Sequence, residues 1–179
     1  MASNNNAGEV RYVAFLRGVS PMNAKMAELK NAFEQMGFSD VRTVLSSGNV
    51  VFSGIDRSES SLVKTIEAGM ANYLPRSFPV IVRRIDHLAA LLEQDPFSAF
   101  RISAKEKRVV TFLGEPYHGK LSLPIETDGV RILAMQGDDV FTVYAPHPKG
   151  PVFMTLLEKT FGKNITTRTW DTVKKCAVA

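Results

Sequence analysis

Short apolar runs alternate along this chain with stretches of helical period. Tyr12-Val13-Ala14-Phe15-Leu16 is apolar without a break, which predicts a strand covered on both faces and central in its sheet, closed by Arg17-Gly18. After Pro21 and Asn23, Met26, Leu29, Phe33 and Met36 recur at helical spacing, with Gly37 as the C-terminal stop. The stretch Arg42 to Phe52 places two apolar runs around Ser46-Ser47-Gly48-Asn49, the pattern of a β-hairpin with a tight, glycine-dependent turn. Leu45, Val50 and Phe52 are expected on one face of it, Val44 and Val51 on the other. Ser58 then caps a helix running to Tyr73, with Leu62, Ile66 and Met70 on one side and Glu59 in the first turn. Pro75 ends that helix and Phe78 to Val82 reads as another strand.

The order strand, helix, strand, strand, helix, strand is that of the split βαβ, or ferredoxin-like, unit. In that topology the first and third strands lie side by side and antiparallel. Arg17 and the hairpin turn are therefore expected to be neighbours in space. Beyond this half, Asp86 is read as the cap of a connecting helix with Leu88, Leu91 and Leu92 inward, ending near Asp95-Pro96-Phe97. The polar stretch Arg101 to Lys107 is the best boundary in the chain. A second round follows: a strand over Arg108 to Leu113, a short helix or turn over Tyr117 to Leu121, and strands over Val130 to Met135 and Val140 to Tyr144 around Gln136-Gly137-Asp138-Asp139. Pro151 opens a helix burying Phe153, Leu156, Leu157 and Phe161. Thr166 to Thr169 is a short strand, and Asp171 caps a last helix to Ala177. The pattern thus predicts an α+β protein of two ferredoxin-like (βαββαβ) halves packed together, with a C-terminal helix. Its parts are a flexible tail (1–9), a first half (10–85), a connecting helix and loop (86–107) and a second half (108–179).

Composition adds limits. Of 179 residues, 45% are hydrophobic and 22% charged, enough apolar material for a buried core and too much for disorder. The net charge of +4 is spread along the chain without a basic run of the kind that binds nucleic acid. It permits acidic partners without arguing for them. Cys176 is the single cysteine, so an intrachain disulfide and a cysteine-rich zinc site are both excluded. The first ten residues lack the long apolar core of a signal peptide, and no apolar run reaches membrane-spanning length. A cytoplasmic location without membrane contact is the expectation.

Candidate chemistry is sparse. The turn Ser46-Ser47-Gly48-Asn49 offers two hydroxyls, an amide and a glycine that allows close approach of a ligand to the backbone. With a neighbouring guanidinium such as Arg17 it has the parts to hold a phosphate or carboxylate. The same residues are also what any tight turn uses, and Arg17 could simply pair with a surface acid. His147-Pro148-Lys149-Gly150-Pro151 leads into a helix N-terminus but lacks the spacing of a P-loop. His87, His118 and His147 sit on three separate elements, and no two have ligand spacing, so no metal or other cofactor is expected. No Gly-x-Ser-x-Gly elbow marks a nucleophile. Asp138-Asp139 read as turn chemistry, and Cys176 as packing on an amphipathic helix. Trp170, beside Arg168, either covers a ligand or plugs a core. The third strand carries Phe52 as its one aromatic and no basic-glycine-aromatic signature, which argues against base stacking on that sheet.

Four of these stretches carry a resemblance. Tyr12 to Val19, Met26-Ala27-Glu28-Leu29, Leu45 to Phe52 and Thr167-Arg168-Thr169-Trp170-Asp171-Thr172-Val173 resemble, in order, the signature segments of the bacterial family known as domain of unknown function 1697. Two features depart from that family: Ser20-Pro21-Met22-Asn23 is shorter than its paired-glycine, lysine-containing loop, and Pro151-Val152-Phe153 stands where it carries basic residues and a serine. The resemblance implies a lineage and no activity. It puts Arg17, Ser46, Gly48, Asn49, Arg168 and Trp170 on motif positions. The expectation is a protein that binds an anionic small molecule through Arg17, Ser46, Ser47, Gly48, Asn49, Arg168 and Trp170. The alternatives are an enzyme using Ser46 or Ser47 as its reactive hydroxyl, and a nucleic-acid or protein interaction module.

Overall fold

The computed structural model describes residues 8–146 and 152–179. It is an α+β structure of two antiparallel sheets and five helices. Its contacts separate two compact units among the described residues. One extends to Ala89 and includes Lys175–Ala179; the other is Ala90–Lys174.

The first unit follows the element order read from the pattern: β1 (Glu9–Leu16), α1 (Met26–Gln35), β2 (Ser39–Val44), β3 (Asn49–Ile55), α2 (Glu59–Tyr73) and β4 (Val80–Arg84). Its strands lie in the order β2-β3-β1-β4, with β1 antiparallel to both β3 and β4. Leu29 and Phe33 of α1 and Leu62, Ile66 and Met70 of α2 bury against Tyr12, Ala14, Leu16, Val50 and Phe52 on one face of the sheet. Tyr12 and Phe52 stack with their ring centroids 5.6 Å apart, and Phe38 closes on Phe52 at 4.4 Å. On the opposite face Val13, Phe15 and Val51 are fully buried too, as an uninterrupted apolar run requires. Arg11, on the same face as Val13, donates from Nε to the Ala179 carbonyl at 2.9 Å. Ser58 accepts from the Ser61 N–H and so caps α2 as expected.

Several details differ from the reading of the pattern. Leu45 is not on the sheet face: it sits in the turn, half exposed, with φ of +58°. The fourth strand is shifted toward Arg84, because its pairing with β1 runs from Val80 opposite Leu16 to Arg84 opposite Tyr12. The connecting helix α3 (Ile85–Gln94) follows β4 directly. Asp86 therefore lies within its first turn rather than capping it, and holds the Arg84 guanidinium at 3.2 Å.

The second unit does not repeat that element order. After β5 (Lys107–Leu113), no helix occupies Tyr117 to Leu121; the chain instead reaches a short strand β6 (Ile125–Thr127). Then come β7 (Val130–Gln136), β8 (Asp139–Tyr144), α4 (Val152–Phe161), β9 (Ile165–Thr169) and α5 (Trp170–Ala177). The strand order is β6-β7-β8-β5-β9, all antiparallel. The segment read as a short helix or turn packs through Tyr117 against the hydrophobic cluster of this unit, its ring 5.2 Å from that of Phe161 on α4. The hairpin turn is the two residues Gly137-Asp138; Asp139 already belongs to β8 and is buried. On α4, Leu157 is fully buried, while Phe153, Leu156 and Phe161 are partly buried against the same cluster. Pro151, read as opening that helix, and the His147 to Gly150 loop lie outside the described residues. Thr169, not Asp171, caps α5: its Oγ1 accepts from the Thr172 N–H at 3.2 Å and lies 2.9 Å from the Thr172 hydroxyl. No helix among the described residues is long and apolar enough to cross a membrane.

Candidate functional site

The sheet register brings Arg17 to the hairpin turn. Phe15 pairs with Asn49, and the Leu16 N–H donates to the Gly48 carbonyl at 2.8 Å. Arg17 follows at once, its N–H given to the Pro79 carbonyl at 2.9 Å and its side chain half-buried. The turn Leu45-Ser46-Ser47-Gly48 connects Val44 to Asn49, which face each other across the ladder. Two of its residues, Leu45 (φ +58°) and Gly48 (φ +83°), are in the left-handed region. For a leucine that is an uncommon conformation and a store of strain.

Gly48 has two reasons to be glycine. A Cβ at this position would come within 2.9 Å of the Val19 Cβ and 3.0 Å of the Leu16 Cβ. The turn is thereby pressed onto the Arg17-Gly18-Val19 segment. Asn49 is fully buried, and its amide donates to the Val44 carbonyl at 2.9 Å and to the Ser47 Oγ at 3.1 Å. This side chain staples the turn. Ser46 and Ser47 stand exposed at its tip. Nearby, Asn23 bonds Gly18 through its amide nitrogen and the Ser20 N–H through its oxygen, which holds the loop after Arg17.

Arg168 and Trp170 belong to the second unit. Arg168, on the outer strand β9, donates from Nη1 to the Thr166 hydroxyl at 2.7 Å and to the Thr167 carbonyl at 2.8 Å. The Trp170 side chain is 4% exposed and meets Phe97 edge-on at 5.1 Å, with Phe97 in turn against Phe141 at 5.7 Å. That is a core contact, made across a long sequence interval. Cys176 is buried, as its place on an amphipathic helix suggested.

Two concavities lie in the second unit. One, of about 690 Å³, is lined by residues of the 102–108 segment and of the β9–α5 junction, Trp170 among them. The other, of about 530 Å³, lies between Arg101, Glu126 and Arg131. Neither is lined by Arg17, the hairpin turn or Arg168. Glu106, on the wall common to both, accepts from the Ser103 N–H at 2.9 Å and from Arg131 at 3.0 and 3.1 Å. These bonds, the backbone one foremost, hold its carboxyl below the ordinary carboxylate pKa against the opposing effect of burial. Lys107, Arg108 and Lys174 around the first concavity were not singled out in the sequence. The signal was present: Lys174 is four residues after Trp170 on one helix face.

Among the described residues no three His, Cys, Asp or Glu side chains are grouped to hold a metal ion. Several charged groups of the first unit are instead paired near the start of α2 and the end of β4. Tyr12 receives the Arg57 N–H on its hydroxyl, Arg84 pairs with Asp56 and Asp86, and the Arg83 guanidinium lies 3.7 Å from Glu59.

No curated protein matches the chain. Among solved structures it is similar to one titled "The structure of conserved bacterial protein SP0830 from Streptococcus pneumoniae". The two share 22% identity over 96% of this chain and 98% of that one, with a TM-score of 0.70. At this identity the likeness concerns the fold. A family model described as "Protein of unknown function (DUF1697)" matches residues 10–141, which takes in β1, the hairpin and the second sheet as far as β8. With most of its length matched, the chain belongs to the DUF1697 family of proteins of unknown function.

Proposed function

We propose that this protein binds a small anionic molecule, phosphate- or carboxylate-bearing, at the corner formed by Arg17 and the Ser46–Asn49 turn. The observation that carries the reading is the Leu16–Gly48 bond, which brings a guanidinium-bearing strand end beside two exposed hydroxyls. The strain at Leu45 adds to it, since unfavourable backbone conformations cluster at functional sites. Under this reading Arg17 supplies charge, Ser46 and Ser47 supply hydroxyl donors, and Gly48 and Asn49 shape the turn. Arg168 and Trp170 enter as a second, separate contribution. Support for reading the first unit as ferredoxin-like comes from its βαββαβ order and the strand order β2-β3-β1-β4.

Binding is preferred over catalysis because Ser47 receives an amide hydrogen from Asn49, and an amide has no basic site to take the hydroxyl proton. It is preferred over base stacking because Tyr12, Phe15 and Phe52 of the two central strands are fully buried, so no aromatic face is offered there.

A thermal-shift screen of wild type and Arg17→Ala against nucleotides, sugar phosphates and organic acids tests the reading. Ligand at a hundred times its dissociation constant adds about 2.7 kcal/mol of stability, a readily measured rise in Tm. The expected result is a rise in wild type that Arg17→Ala removes. A rise of equal size in both proteins sinks the site, and no rise with any ligand sinks the function.

A further inference from the structure

We propose a second ligand site, independent of the hairpin corner: the concavity of about 690 Å³ in the second unit, suited to a small phosphate ester bearing an apolar or aromatic group. Its charge comes from three cations. β5 runs antiparallel to β9, with Val109 opposite Thr169. Lys107 and Arg108 at the start of β5 therefore lie at the end of β9 where α5 begins. Trp170 and Lys174 are one turn apart on that helix. Lys107, Arg108 and Lys174 line the concavity and are exposed, and none of the three side chains makes a hydrogen bond or ion pair among the described residues.

Two carboxylates also line it. Glu106 is committed to Arg131 and the Ser103 N–H, so it does not neutralise the three cations. Asp171 leaves an excess of positive charge. Like charges gathered around one hollow repel, and an anion that enters relieves all three at once. The apolar part of the lining comes from Ile102, Ala104 and Trp170. Phe97 packs edge-on against Trp170 from within, which holds this part of the wall in place. Charge at the rim and an apolar wall made by Ile102, Ala104 and the small exposed part of Trp170 together select a phosphate attached to an apolar or aromatic body over a bare inorganic ion.

Trp170 is the single tryptophan of the chain, so the fluorescence signal originates in the wall of this concavity, and the variants tell which site perturbs it. The experiment titrates full-length protein with phenyl phosphate and with adenosine monophosphate, and with adenosine and inorganic phosphate as controls. It uses wild type, the triple variant Lys107→Ala, Arg108→Ala, Lys174→Ala, and Arg17→Ala. The expected result is a saturable change with at least one phosphate ester. It should weaken at least tenfold in the triple variant, persist in Arg17→Ala, and be weaker or absent with both controls. The side chains altered in the triple variant are exposed, so it is expected to fold, and circular dichroism of each variant checks this. No saturable change with either ester into the millimolar range overturns the proposal, as does an unchanged curve in the triple variant. A change lost in Arg17→Ala and kept in the triple variant assigns binding to the hairpin corner and overturns this site alone.

Discussion

At the scale of single residues, glycine and threonine give the sharpest tests. Gly48 combines a φ of +83° with neighbours 2.9 and 3.0 Å from any added Cβ. Gly137, in the other hairpin, has a φ of +56° and open space around it. Gly48→Ala is expected to cost about 2 to 4 kcal/mol, from backbone strain plus overpacking. Gly137→Ala should cost about 1 kcal/mol, from strain alone. Urea melts of both variants check this; equal losses would show that the packing of the turn onto Val19 contributes nothing. Thr142 points the other way. Its hydroxyl is buried in β8 without a hydrogen-bond partner, as is that of Thr111 in β5. Thr142→Val keeps the shape and removes the unpaired oxygen, so a gain of roughly 1 kcal/mol is expected in the same assay. A loss would mean that the oxygen has a partner in solution.

Among elements, the 101–106 segment is tied to the second sheet by Glu106 and its bonds to Arg131 and Ser103. The folded-state pKa of Glu106 lies below its unfolded value. Its contribution is therefore complete above the unfolded value, near 4.5, and disappears as pH falls through the lower, folded one. Glu106→Gln should lower stability by about 1 kcal/mol at neutral pH, and the gap from wild type should close in acid. A gap that stays constant down to strongly acid pH would exclude the ionised carboxylate as its source.

Much of the element scale was legible in the residues. α1 and α2 follow the spacing of Leu29 and Phe33 and of Leu62, Ile66 and Met70. The misread elements share a cause. β6 is three residues with one apolar side chain, too little for a period of two to register. Leu45 continues the apolar alternation of β2, so nothing in its identity announces a left-handed backbone. Thr169 and Asp171 are both good caps, and the choice depends on where β9 stops pairing with β5. For the candidate site, the neighbourhood of Arg17 and the turn was legible because it follows from strand order. The staple role of Asn49 was not: it depends on whether the amide turns inward.

For the whole molecule, each sheet has interior strands and outer ones. β1 and β3 lie inside the first, β8, β5 and β7 inside the second, while β2, β4, β6 and β9 are outermost. Amides of β1, β3, β5 and β8 are expected to exchange slowest with solvent, since they lie in ladders buried on both sides. β6 and the Thr-rich β9 should exchange faster, by one or more orders of magnitude. Hydrogen exchange followed by mass spectrometry reads this directly, and protection of β6 equal to that of β5 would contradict the assigned order.

The sequence by itself determined the class, the order of elements in the first unit and membership of a family. These rest on local periodicity and on caps and turns, whose physics reaches only a few residues. Tertiary structure alone decided which polar groups are buried, which cations are left unpaired, and that Trp170 braces against Phe97. It also decided that the second half is a five-stranded sheet and no repeat of the first. Those outcomes depend on contacts between residues far apart in the chain, and no short-range pattern carries that information.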